Sequence, residues 1–346
     1  MAHHADQQTK RPDRPRASRI ALVIVAIAAA SAAIYWPQAA LETAVFVGWS
    51  LVVIAPLVIP GILLAGWIIA SGADTHIAAA FEGNMRRAVF AAAAIGAVTP
   101  VCGVTVLPLM AGLLAGGVPL APVMAFWLSS PVTDPAMLAT TAATLGISFA
   151  LGKTIAAVLL GLLGGAGTLL FARAGWCADP LRNNALVGRI VAARCGEKMP
   201  FRMAIWADGT RRDVFRRQVW ATTRLILICL IPAFAAEHVL NALLHPEALS
   251  SYVGHKTAWA IPLAVFVGAP AYVDGYAALP LTRALIEHGM SPGAAMAFLV
   301  SGGVVSIWGA MAIFPVLRLQ PFLLYLALAI FGSLLAGYGF DAVTAL

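Results

Sequence analysis

Charge is what this chain has least of. Asp, Glu, Lys and Arg make up only 11% of its 346 residues, while 61% are hydrophobic. A soluble domain carries about 25% charged residues, so a water-soluble globule is excluded. Cysteine is scarce too. Cys102, Cys177, Cys195 and Cys229 form no CxxC pair and no zinc-like cluster, so no disulfide framework is expected. No Walker A loop, HExxH or GxSxG motif occurs, and nothing supports an ATPase, a protease or a hydrolase. An enzyme is therefore not expected, and no cofactor is called for. The apolar runs are too long for the strands of an outer-membrane barrel, which leaves an all-α integral membrane protein. The net charge of +7 lies in the N-terminal tail and one loop. In such a protein it bears on orientation and lipid headgroups, and no nucleic-acid partner follows from it.

The runs divide the chain. Residues 1–19 form a polar, basic tail expected to be disordered rather than a cleaved signal. Ile20 to Trp36 is predicted as a first transmembrane helix outside the repeats described next. Leu41 to Ala73 is predicted as a second, kinked at Pro56 and Pro60. Half-helices are expected near 88–98, 105–116, 120–129 and 134–144, then an uninterrupted helix over 147–172 rich in small residues. Residues 173–217 read as a basic linker, helical in part at most. Further spans are predicted at 218–244 and 321–343, separated by a second broken stretch over 259–288 and 292–316.

The breaks carry the functional reading. Thr99-Pro100-Val101-Cys102-Gly103 and Ser129-Ser130-Pro131-Val132-Thr133-Asp134-Pro135 interrupt apolar sequence with proline, glycine and polar side chains. Non-helical backbone at membrane depth survives only where protein buries it or where it lines a wet cavity. The stretch then recurs. With Pro280-Leu281 laid over Pro108-Leu109, an offset of 172, Gly96-Ala97 meets Gly268-Ala269 and Gly103 meets Gly275. Gly117 meets Gly289, Met124-Ala125-Phe126 meets Met296-Ala297-Phe298, and Ser129 meets Ser301. The helix breaks are assigned to Pro100, Gly103, Pro131, Pro270, Gly275, Gly302 and Gly303. Repeat 1 is placed at 41–172 and repeat 2 at 218–345. Repeats of this kind mark secondary transporters, with sites at the repeat interface near the midplane.

The polar residues differ between the copies, because Cys102 falls on Asp274 and Asp134 on Ser306. Asp274 is costly at membrane depth, so it is a candidate proton or cation carrier, or else an N-cap for a half-helix starting near Gly275. Cys102 is a soft ligand candidate or a packed small residue. Asp134 either caps a half-helix at Pro135 or lines the path with Ser129, Ser130 and Thr133. Tyr272 and Tyr276 flank Asp274, and Ser301 and Ser306 mirror the 129–134 region. Cys102 and Asp274 are the positions open to a metal. Lys153 and Arg283 are expected to snorkel from helix ends.

At the two Pro-Leu motifs the chain resembles the predicted permease family that includes the organoarsenical-efflux permeases. The resemblance rests on Pro100-Val-Cys102 through Pro108-Leu109, Gly117-Val-Pro-Leu, Ala125-Phe126, Ser129-Ser130-Pro131, Pro270-Ala-Tyr-Val through Pro280-Leu281, Ser291-Pro292-Gly293 and Ala297-Phe298. It implies outward movement of trivalent organoarsenicals using thiols near the first motif. Where the family often has Cys-x-Cys, this chain has Val104 in the second position, and it has Asp274 where a cysteine is common. One thiol and one carboxylate make a harder donor set than two or three thiols. That shifts weight toward a proton-coupled metal, metalloid or small-solute substrate.

The expectation is a secondary-active exporter in the cell inner membrane, with a small molecule or ion as substrate and lipid as its surroundings; a homo-oligomer is left open. The basic tail and the linker place both in the cytoplasm. One re-entrant pair plus one crossing in 88–146 then makes the repeats inverted. An uncoupled channel-like pore is the alternative.

Overall fold

A computed structural model describes residues 36–73, 84–99, 106, 110–111, 113–114, 117–172, 180–182, 200–243, 259–268, 278–305, 310, 313–314 and 316–345. The helix expected over 20–36, all but Trp36, lies outside these residues, as do most of the 105–116 half-helix and most of the linker.

Ten α-helices are described: α1 Pro37–Ser71, α2 Met85–Val98, α3 Leu120–Ser129, α4 Pro135–Leu145, α5 Ile147–Ala172, α6 Gly209–Leu243, α7 Ala260–Gly268, α8 Ala278–Glu287, α9 Pro292–Val304 and α10 Leu319–Thr344. A 3₁₀ turn, Ile205–Ala207, precedes α6. Among the described residues the remaining regular pairing is one isolated bridge, Leu181 with Leu317. By length and composition α5 and α10 can each cross a membrane. The two arms of α1, Pro37–Val53 and Val58–Ser71, meet at a 56° bend and make a third candidate. Pro56 lies in that bend, where its missing N–H and its ring break the hydrogen-bond ladder.

The offset of 172 returns in the coordinates. It carries the bounds of α1 onto those of α6, those of α5 onto those of α10, and the start of α3 onto the start of α9. The same turn closes both halves. Gly117 and Gly289 sit at φ +87° and +98°, conformations that favour glycine. Gly117 N–H donates to Leu114 O and Val118 N–H to Leu113 O; Gly289 and Met290 repeat this to Ile286 O and Leu285 O. These paired bonds form a Schellman-type helix end.

α3 and α9 are buried on nearly every side. Helices that are apolar all round belong in the interior. α2 and α5 pack on α3, and α7 and α10 pack on α9. The outer faces stay apolar: Leu151, Ile155 and Leu159 on α5, Phe331 and Leu335 on α10, and Leu41, Val45 and Trp49 on α1 are all exposed. Such broad apolar exposure matches a lipid-facing surface.

α6 begins at Gly209, nine residues before the predicted Gln218, so the basic run from Arg211 to Arg217 is helical. Arg211 explains the early start. Its buried guanidinium donates to Ala70 O at 3.1 Å, Ser71 O at 3.0 Å and Pro200 O at 2.6 Å, and lies 3.5 Å from Asp208. It thus takes up carbonyls left over at the end of α1 and ties α1 to α6. Arg182 is also structural: its Nε donates to Leu317 O at 2.6 Å, and its guanidinium sits 4.1 Å over the Phe314 ring.

Packing within the first half depends on absent side chains. A Cβ on Gly161 would lie 2.7 Å from Ala125 O, 2.8 Å from Ala93 Cβ and 2.9 Å from Ser129 Cβ, with backbone on one side and no room to yield. Gly161→Val should therefore cost about 1–3 kcal/mol of overpacking and lower the unfolding temperature of the purified protein. Gly48→Ala, where nothing lies within 4 Å, should leave it unchanged or raise it slightly, as thermal unfolding in detergent would read.

Candidate functional site

The break after α3 runs from Ser130 to Asp134, as the sequence suggests. α3 ends because Pro131 offers no N–H to continue it, and α4 restarts at Pro135 because proline suits a first helical turn. Asp134 caps the restart. Its Oδ1 accepts from Ala136 N–H and Met137 N–H, each at 2.8 Å. The capping alternative is thus the one realised in the geometry, and Asp134 remains half-buried beside the break.

Two residues 172 apart meet here. A Cβ on Gly303, at the end of α9, would stand 2.8 Å from the carbonyl oxygen of Pro131. The break of one half is pressed on the corresponding segment of the other, and only glycine permits that approach. The same self-matching contact occurs further along, where Gly332 of α10 faces the side chain of Leu160 of α5.

Ser129 and Ser301 lie in corresponding places. Each is fully buried and back-bonds within its own helix, Ser129 Oγ to Phe126 O at 3.1 Å and Ser301 Oγ to Phe298 O at 3.2 Å. Ser129 also faces Gly96 and Ser301 faces Gly268. Their geometry is that of packing residues. Ser130 and Thr133 are buried in the break, and the Ser130 hydroxyl has no hydrogen-bond partner. Gly302 and Gly303 do not break the helix as expected: both lie within α9, which runs on to Val304, and Gly302 is half-buried beside Gly268. Cys102, Tyr272, Asp274, Tyr276, Ser306, Pro100, Gly103, Pro270 and Gly275 lie outside the described residues. Among the described residues no three His, Cys, Asp or Glu side chains converge as a metal site would need.

Lys153 corrects the sequence reading. It does not snorkel from a helix end: it is 3% exposed, in the second turn of α5. The signal was there, since Lys153 shares a helical face with Ala157, Leu160 and Gly164 at i+4, i+7 and i+11. Arg283 does stay exposed, pairing with Glu287 at 3.1 Å and donating to Thr144 O at 2.9 Å across the halves. Three more groups escaped the sequence reading. Trp127 Nε1 and Thr141 Oγ1 are buried without a partner. Tyr325 packs its ring 5.3 Å from that of Trp127 and donates its hydroxyl to Val304 O at 2.6 Å. The break therefore holds one capping carboxylate and one unpartnered hydroxyl.

UPF0718 protein MJ0584 of Methanocaldococcus jannaschii is 31% identical over 134 residues, 39% of this chain. The match spans 37% of that relative's length. No solved structure matches the chain. A family model described as a predicted permease (ArsP_1) matches residues 39–341, so this chain of apolar, broken and repeated helices belongs to the predicted permease family.

Proposed function

We propose that the protein is a secondary-active exporter of the cell inner membrane. It moves a metal or metalloid compound or a small organic solute through the junction of its two broken stretches. The single observation that carries the reading is the contact of Gly303 with Pro131. Non-helical backbone at membrane depth has a use when it lines a path, and here the break of one half is packed on the end of α9 in the other. Sites of secondary transporters form at such interfaces. The halves are inverted across the membrane, with the N-terminal tail and the 173–217 linker in the cytoplasm, as the basic residues favour. Asp274, opposite Cys102 in the repeat register, carries the coupling proton, and Cys102 contributes a soft donor. The permease family membership supports transport over catalysis.

Cellular accumulation tests this reading. Cells expressing wild type, Cys102→Ser or Asp274→Asn at equal levels are exposed to trivalent organoarsenicals, arsenite and several transition metals. Wild type should lower accumulation of at least one compound, and both substitutions should abolish that effect. Silence of both substitutions in a working transporter would remove these two residues from the site.

Gly303→Ala gives an independent test of the junction. The added methyl would contact the Pro131 carbonyl and should reduce export about tenfold or more, as small misplacements of a positioned site do. The protein should still reach the membrane at wild-type levels. Unimpaired export by this variant would sink the junction as the path.

A further inference from the structure

We propose that Lys153 is the anion-recognising group of the transport site, so that the transported species carries a negative charge, as an oxyanion or a carboxylate. This rests on the transporter reading above and specifies its substrate class.

Lys153 is the sole charged residue between Ile147 and Ala172. Its side chain is buried, and among the described residues its ammonium has neither a hydrogen bond nor an ion pair. A buried, unpaired cation at membrane depth is expensive and usually marks a function with a missing partner. Asp134 stands at the start of α4, which packs on α5. Its carboxylate is already engaged by the Ala136 and Met137 N–H groups, a helix end that carries roughly half a positive charge. Lys153 therefore has no hydrogen-bonded or ion-paired counter-ion among the described residues.

The repeat gives a second, independent observation. The residue 172 positions after Lys153 is Tyr325, whose hydroxyl donates to the Val304 carbonyl at the end of α9. In the second half a neutral donor satisfies itself on the backbone. In the first half the same register holds a cation, and the residue matching Val304 is Val132, inside the break. Trp127 Nε1 and the Ser130 hydroxyl, both buried and unpartnered, add donors in this region. Unused donors suit an anion, which accepts from them.

Anion binding by the full-length protein in nanodiscs tests the proposal. Sulfate, phosphate, arsenate, methylarsonate and benzoate are titrated against a chloride background of matched ionic strength, with thermal unfolding and calorimetry as readouts. At least one should give a saturable rise in unfolding temperature. Lys153→Met should weaken that binding about tenfold or more, the worth of one charged hydrogen bond, and Lys153→Arg should restore part of it. Absence of a shift with every anion overturns the proposal, as does binding to Lys153→Met within twofold of wild type. That second result would mean that Lys153 serves only as an internal partner of Asp134. If Lys153→Met does not fold, Ser130→Ala and Trp127→Phe carry the test, and twofold or smaller effects in both overturn it. Export of a cationic or neutral compound that survives Lys153→Met sinks this inference and leaves the transporter reading intact. Lys153-dependent anion binding by a protein that exports none of the anions sinks the transporter reading instead.

Discussion

Every backbone N–H and C=O that leaves a helix inside a membrane must find a partner within the protein, and this constraint organises the whole molecule. The chain leaves helical geometry at Ser130–Asp134 in the described part of its first half. Several groups around it are bonded or covered. The Asp134 carboxylate takes two N–H groups of the restarting helix, Ser129 back-bonds to Phe126, and Gly303 lets the other half close over the Pro131 carbonyl. The apolar shell of α2, α5, α7 and α10 is what excludes lipid from this irregular centre. Without glycine at 303 the end of α9 could not approach the break this closely.

The two halves share a scaffold and differ in chemistry. Glycines and capping turns recur at an offset of 172, as at Gly96 and Gly268 or Gly117 and Gly289. These positions are constrained by close backbone approach or by positive φ, so their residue type cannot drift far. Other corresponding positions carry no such geometric obligation. Lys153 against Tyr325, Asp134 against Ser306 and Trp127 against Leu299 are all unlike pairs. A duplicated frame with unlike polar groups offers one asymmetric site rather than two equal ones.

How much was legible in the sequence follows from the same distinction. Helix ends set by local chemistry were readable. Pro131 ends α3, Asp134 and Pro135 start α4, and Ser291 caps α9 by accepting from Ala294 N–H. The repeat register was readable because close packing holds glycine, proline and Met-Ala-Phe in step. The start of α6 was not, since it depends on Arg211 reaching carbonyls of α1 and of Pro200, contacts remote in sequence. The burial of Lys153 was misread because a lysine six residues from a helix start resembles an interfacial one. Its helical phase, on the face shared with Ala157 and Gly164, outweighs its distance from the end. Trp127, Thr141 and Tyr325 looked like ordinary apolar-helix residues, and only their buried, unpaired or backbone-directed polar atoms set them apart.

The contacts inside each half and those between them bear on mechanics. Within the halves several glycines meet backbone, Gly96 at Phe126 O, Gly161 at Ala125 O, Gly268 at Phe298 O and Gly293 at Gly337 O, while Gly164 and Gly165 meet the side chains of Leu128 and Val89. Carbonyls cannot rotate away, so the backbone contacts are stiff. Between the halves, Gly332 meets the end of Leu160, Gly167 the end of Leu328, and Gly152 the ring of Phe340. Side-chain ends change rotamer at small cost, so the α5–α10 seam is the compliant one. The exception is Gly303 on the Pro131 carbonyl, a backbone contact between halves. A side-chain seam between α5 and α10, with firmer ties between the halves at Gly303, Arg211 and Arg283, sets where one half can move on the other. The Gly303 contact lies on the break that Asp134 caps, so movement of one half on the other would be felt at that break.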